Sequence, residues 1–119
     1  VIRTLVVNAI EHADGTDVTI TVATSDTDVA CRVRDRGVGM TQEVADHVFD
    51  RFYRADTARA RTTGGTGLGL AIATEDVAIH GGRLQAYGEP GKGASFLMTL
   101  PKHPGDEIAT WPLTLWEDE

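Results

Sequence analysis

Two stretches of this chain alternate apolar or β-branched residues with polar ones, and each is interrupted at its middle by turn chemistry. Residues 17–24 (DVTITVAT) and 29–34 flank Ser25-Asp26-Thr27-Asp28, and residues 83–89 and 94–100 flank Pro90-Gly91-Lys92-Gly93. A period of two belongs to strands and does not sit still as a helix, so the pattern predicts two β-hairpins. Asp26 and Asp28 have the spacing of calcium ligands, but the glycine and distal glutamate of an EF-hand loop are missing, which leaves a turn. A helix-periodic run precedes each hairpin. Ile2, Leu5, Val6, Ala9 and Ala13 recur at steps of three and four until Asp14-Gly15. Leu70, Ala71, Ala73, Val77 and Ala78 mark a second helix, from Leu68 to the glycine stop at His80-Gly81-Gly82. Between them Thr41 has the chemistry of an N-cap for a short helix that turns Val44, Ala45 and Val48 inward.

The second long helix opens on Gly64-Gly65-Thr66-Gly67-Leu68-Gly69-Leu70. Alternate glycines leave peptide N–H groups uncovered where a helix begins, and free N–H groups at its positive end suit a phosphate, such as that of a nucleoside triphosphate. The spacing excludes the common phosphate loops. No lysine follows Gly67 or Gly69 as a Walker A loop requires, and G-x-G-x-G from Gly65 is not the G-x-G-x-x-G of dinucleotide-binding and protein-kinase loops. A flexible connection is the other reading of the same glycines.

With 119 residues the chain is one domain with a single core. Its formal net charge of −7 argues against a nucleic-acid or anionic-membrane surface, since those partners need an excess of Lys and Arg. Cys31 is the single cysteine, so there is no disulfide framework and no Cys/His metal spacing, and a reducing compartment fits. No apolar run approaches a membrane span, no signal-peptide pattern is present, and the opening Val1-Ile2-Arg3 suggests a piece of something longer. Against the acidic background, residues 51–61 hold four arginines and one acid, Asp56, which is either an anion site or a solvated loop. Residues 55–66 lack apolar periodicity and read as a mobile loop. Residues 102–119, with two prolines, two tryptophans and five acids, read as an acidic C-terminal tail in which the docking of Trp111 and Trp116 is open. His47, His80 and His103 have no partner at ligand spacing and read as surface or cap residues.

Two polar residues stand out from these elements. Asn8 lies mid-helix, where asparagine has poor propensity; its carbonyl oxygen suits Mg²⁺, though an edge asparagine bonded to water explains it as well. Asp35 ends a strand and is followed by Gly37 and Gly39. That is a plain turn, or it is a carboxylate acceptor for the amino group of adenine, with glycines that let a flat base lie against backbone. Phe49 and Phe52, three residues apart, predict core contacts that leave Arg51 and Arg54 pointing together.

The order of Asn8 on a helix, Asp35-x-Gly37-x-Gly39 after a strand, Phe49-x-x-Phe52 with its arginines, a polar loop, and Gly65-x-Gly67-x-Gly69 opening a helix resembles the N, G1, F and G2 boxes of the ATP-binding (GHKL) domain of sensor histidine kinases. Gly93-Ala94-Ser95-Phe96 stands in place of the G3 pattern, and the likeness runs over residues 4–101. The text of residues 49–70 looks most like an actinobacterial branch of these kinases. The resemblance implies the Bergerat fold, an α/β two-layer sandwich with helices on one face of a mixed, mostly antiparallel sheet. It assigns residues 1–101, truncated at the N-terminus, to the ATP-binding domain and 102–119 to the tail. It further implies ATP and Mg²⁺ as ligands, with the metal on Asn8, the adenine amino group on Asp35, adenine contacts on Gly37 and Gly39, and an adenine neighbour at His12. Phosphates fall to Gly67 and Gly69 with Arg54 and Arg51; Met40, Thr66, Leu68 and Leu70 complete the set, and Asn8 and Arg54 are the catalytic pair.

Thr4, Glu11 and Ala94 depart from the family pattern, where an asparagine, a lysine and a Thr or Ser are usual. None of the four histidines sits in the setting of a phosphoacceptor, so the resemblance implies an acceptor on a dimerisation domain outside this chain, and a response regulator after it. It places the domain on the cytoplasmic side of a membrane-anchored bacterial sensor. An ATPase of the same superfamily, or an ATP-binding regulatory module without kinase activity, is the alternative. The ATPases carry a general-base glutamate one turn before the asparagine, and position 4 here is threonine.

Overall fold

The computed structural model describes residues 1–13, 15–50 and 69–116. Helix α1 (Ile2–Ala13) leads into strands β1 (Val18–Thr24) and β2 (Asp28–Asp35), then the short helix α2 (Gln42–His47). Helix α3 (Gly69–Ile79) leads into β3 (Arg83–Glu89) and β4 (Gly93–Pro101). The four strands form one sheet in the order β1-β2-β4-β3, and every neighbouring pair is antiparallel. Both hairpins therefore form where the period-two runs predict them, and β2 pairs with β4 across the middle, Val33 opposite Phe96.

Local chemistry fixes the ends of these elements. Ser25 N–H donates to Asp28 O at 2.8 Å to close the first hairpin. In the second, Lys92 N–H donates to Glu89 O at 2.9 Å, and Gly91 takes the positive φ of 80° that follows a proline in such a turn. The Thr41 hydroxyl caps α2 by accepting from Val44 N at 3.3 Å. Helix α3 ends as its glycines require: Gly81 has φ 76°, and Gly82 N–H returns to Val77 O at 2.9 Å.

The helices cover one face of the sheet. Leu5 and Ala9 of α1, Ala73 and Val77 of α3 and Ala45 of α2 join Cys31, Val33, Leu84, Phe96 and Met98 in one apolar core. Phe49 meets Phe96 edge to face at 6.1 Å, as its spacing predicts. Each such large side chain, fully buried, contributes roughly 1.5–3 kcal/mol. Ile2 departs from expectation: it is 48% exposed, because the core begins one helical turn later at Leu5.

The opposite face of β2 and β4 carries Asp28, Arg32, Arg34, Ser95, Leu97 and Thr99, all buried. What buries them is the segment whose composition suggests a tail. It turns at Gly105 and runs back along β2: Thr110 bonds Asp28, Thr114 O accepts from Arg32 Nη1 at 2.9 Å, and Leu115 O accepts from Ser95 Oγ at 2.6 Å. Trp116 ends the run over Arg34 and against Tyr87. Among the described residues, no helix is long and apolar enough to cross a membrane.

Candidate functional site

Asp35 closes β2 on the helix-covered face and is 1% exposed. Its Oδ1 accepts from Gly37 N–H at 3.0 Å and from Ala94 N–H at 3.3 Å. Its Oδ2 is buried with no partner among the described residues. A buried carboxylate oxygen left open in this way costs free energy unless something donates to it, so it is an acceptor awaiting a donor.

Backbone crowds this carboxylate, and the crowding explains the glycines. A Cβ on Gly37 would lie 1.8 Å from His12 O, at the end of α1. One on Gly39, which has φ 76°, would lie 2.0 Å from Glu89 O, and one on Gly93, with φ 100°, would lie 2.0 Å from Asp35 O. Gly91 N–H reaches Val38 O at 2.9 Å, tying the 35–39 loop to the β3–β4 turn. Met40 is buried beneath, against Gly88, where any Cβ would approach its Cγ to 2.7 Å.

Helix α1 connects this cradle to the glycine-opened helix. Thr4, Asn8 and His12 follow one another at steps of four, and the three extend about 12 Å along the helix axis. At the near end the His12 carbonyl faces Gly37; at the far end Thr4 Cγ2 lies 3.5 Å from where a Cβ on Gly69, the first residue of α3, would be. Asn8, half-buried, stands between them. Leu70 packs against the core in the first turn of α3. The structure thus brings together Asp35, Gly37, Gly39, Met40 and His12 at one end, and Asn8, Gly69 and Leu70 towards the other. Arg51, Arg54, Thr66, Gly67 and Leu68, together with Phe52 and the loop at 55–66, lie outside the described residues.

No group of three or more His, Cys, Asp or Glu is placed to hold a metal among the described residues. An Mg²⁺ ion that keeps several waters and takes phosphate oxygens needs only one or two protein oxygens, and Asn8, half-buried in α1, carries an amide oxygen of that kind. Elsewhere the titratable groups have structural explanations. Burial raises the Cys31 thiol, which keeps it protonated and inert. A hydrogen bond to Asp50 at 2.8 Å raises the exposed His47. Asp28 is held below the ordinary carboxylate value, chiefly by the Thr27 hydroxyl and then by Thr110 and Ala109, against the opposing effect of burial.

Two contributors were not evident from the sequence. Ala94 serves through its N–H, which no side-chain comparison reveals, so its departure from Thr or Ser leaves the bond to Asp35 intact. Arg34 lies on the far side of β2 yet donates to Asp35 O at 3.2 Å and to Lys92 O at 3.1 Å. The signal for Arg34 was present in the alternation, which sets Asp28, Arg32 and Arg34 on one face of a central strand.

Residues 1–104 match the family described as histidine kinase-, DNA gyrase B- and HSP90-like ATPase. The chain is 49% identical over 115 residues to the sensor histidine kinase MtrB of Mycobacterium tuberculosis, a match covering 97% of this chain and 20% of that protein. It therefore spans about a fifth of the length of that relative. Among solved structures, full-length ShkA in complex with AMPPNP superimposes with a TM-score of 0.71 at 30% identity, over 84% of this chain and 20% of that one. The mycobacterial sensor histidine kinase MprB does so with a TM-score of 0.70 at 27% identity, over 85% and 67%. The MtrB match leaves out at most four of the 119 residues, whereas the family match ends at 104, so at least eleven of the last fifteen lie within the MtrB match alone.

Proposed function

The chain belongs to the histidine kinase-, DNA gyrase B- and HSP90-like ATPase family, and from that membership we propose that it is the ATP-binding catalytic domain of a two-component sensor histidine kinase. Residues 1–101 form that domain in this reading, with 102–119 as an acidic C-terminal segment. The observation that carries it is the open Oδ2 of Asp35 inside a glycine cradle. A lone acceptor there selects a base with an exocyclic amino donor at its edge, as adenine has, and the glycines let the backbone close around the carboxylate that presents it.

From that anchor the α1 strip leads past Asn8 to the start of α3. The triphosphate lies along it, with its phosphates at the N–H groups of 67–69 and against Arg51 and Arg54. Asn8 holds the Mg²⁺, which supplies charge neutralisation across the phosphates when bound. Transfer of a γ-phosphoryl group depends mainly on positioning and on such neutralisation, so a site that binds and orients ATP supplies most of what the reaction asks of this domain. The acceptor histidine belongs to a dimerisation domain of the same full-length kinase, and a response regulator then takes the phosphate. The full-length protein is membrane-anchored, with this domain in the cytoplasm.

Calorimetric titration of ATP into the chain, with and without Mg²⁺, tests the reading. Binding strengthened by Mg²⁺ supports it; no binding in either condition overturns it. Asn8→Ala should abolish the gain from Mg²⁺ while leaving the melting transition in place, because a helix accepts alanine readily. Equal loss of affinity with and without the metal would remove Asn8 from the metal site.

A further inference from the structure

Among the described residues, the C-terminal segment reaches the adenine end of the site through Trp116. Trp116 stacks on the Arg34 guanidinium, whose carbon lies 3.7 Å from a ring centroid, and Tyr87 meets the same indole edge to face at 5.0 Å. From beneath that indole Arg34 donates to two carbonyls, Asp35 O and Lys92 O. These belong to the two backbone segments that build the cradle: Asp35 begins the Gly37/Gly39 loop, and Lys92 precedes Gly93 and Ala94, whose N–H holds the carboxylate. The two segments have no regular pairing past Arg34 and Ser95 in the β2–β4 ladder, so the guanidinium bridges them where the ladder stops.

We propose that Trp116 and Arg34 form a positioning pair that fixes the Asp35 carboxylate from the far face of the sheet, so that docking of the C-terminal segment sets the affinity and base selectivity of the nucleotide site. The indole confines the guanidinium to one plane, and a guanidinium so confined holds both carbonyls at once. When Trp116 leaves, Arg34 gains solvent and rotamers, the 35–39 loop and the 92–94 segment lose their common donor, and the open oxygen of Asp35 is less sharply placed. The segment is anchored independently of the pair, since the amides of Ala109 and Thr110 bond Asp28 and Leu115 O accepts from Ser95. Loss of the indole alone therefore leaves the strap in place.

The inference rests on the ATP-binding reading, and the test separates the two. Trp116→Ala should weaken ATP binding roughly three- to tenfold, the range of one cation–π contact, and narrow the preference for ATP over GTP, with Trp116→Phe restoring most of both. In a Trp111→Phe background, Trp116 is the sole tryptophan, and its fluorescence should change on saturation with ATP. Wild-type ATP affinity and selectivity in Trp116→Ala, together with an unresponsive Trp116 signal in a protein that binds ATP, overturn the pairing. A lowered melting temperature with unaltered affinity also overturns it, since that is a structural role only. Failure of the wild-type chain to bind ATP removes the proposed function first and this inference with it.

Discussion

The two faces of the sheet are built on opposite chemistry. Under the helices, β2 and β4 present Cys31, Val33, Phe96 and Met98, and cohesion comes from apolar area removed from water. On the other face the same strands present Asp28, Arg32, Arg34 and Ser95, and a strap meets them with amides, a hydroxyl, carbonyls and an indole. Apolar burial tolerates small shifts, whereas a buried carboxylate or guanidinium needs its partners at hydrogen-bond distance. The helix face therefore sets whether the domain folds, and the strap face sets how tightly one end of the site is held.

Substitutions on each face separate these roles. Phe96→Ala should have the largest effect, about 3–5 kcal/mol in a denaturant titration, because it empties the centre of the core. A cost below about 1 kcal/mol would mean that the helix layer repacks without it. Asp28→Asn should leave the global transition less disturbed and release the strap, seen as lost hydrogen-exchange protection at the amides of Ala109 and Thr110 while the β2–β4 amides stay protected. Uniform loss over the whole sheet would make the two faces one cooperative unit.

Acid sharpens the same contrast. The folded-state pKa of Asp28 is lowered from 3.8, so the stability it contributes is present above that value and is lost as pH falls through the lower folded one. Strap protection should fade below about pH 4 in the wild type, and this acid step should vanish in Asp28→Asn. Ser95→Ala removes one bond, to Leu115 O, and should cost about 0.5–1.5 kcal/mol, a shift of a few degrees in melting temperature. No shift would place that contact among those that water replaces.

Periodicity carries the helix face because apolar area has a period: α1, both hairpins, the α2 cap and the glycine stop of α3 are all visible in it. The cradle at Asp35 is visible because tight backbone approach demands glycine, and Gly37 and Gly39 advertise it. The strap is not, for two reasons. Its bonds are made mostly by its backbone, which leaves no residue pattern, and its prolines and acids match those of a solvated tail. Arg34 is the instructive case. Alternation places it off the core, which suggests solvent, yet it is buried beneath a tryptophan 82 residues away in the chain.

Asp35→Asn tests the open oxygen of Asp35 most directly. Two backbone N–H groups hold Oδ1, so the amide nitrogen of the variant takes the place of Oδ2 and presents a donor where, in the proposed complex, adenine also presents one. Calorimetry with Mg²⁺ and ATP should show binding weakened by about 1–3 kcal/mol, with the melting transition in the absence of nucleotide little altered. ATP affinity equal to that of the wild type would contradict the assignment and return Asp35 to the role of a turn residue.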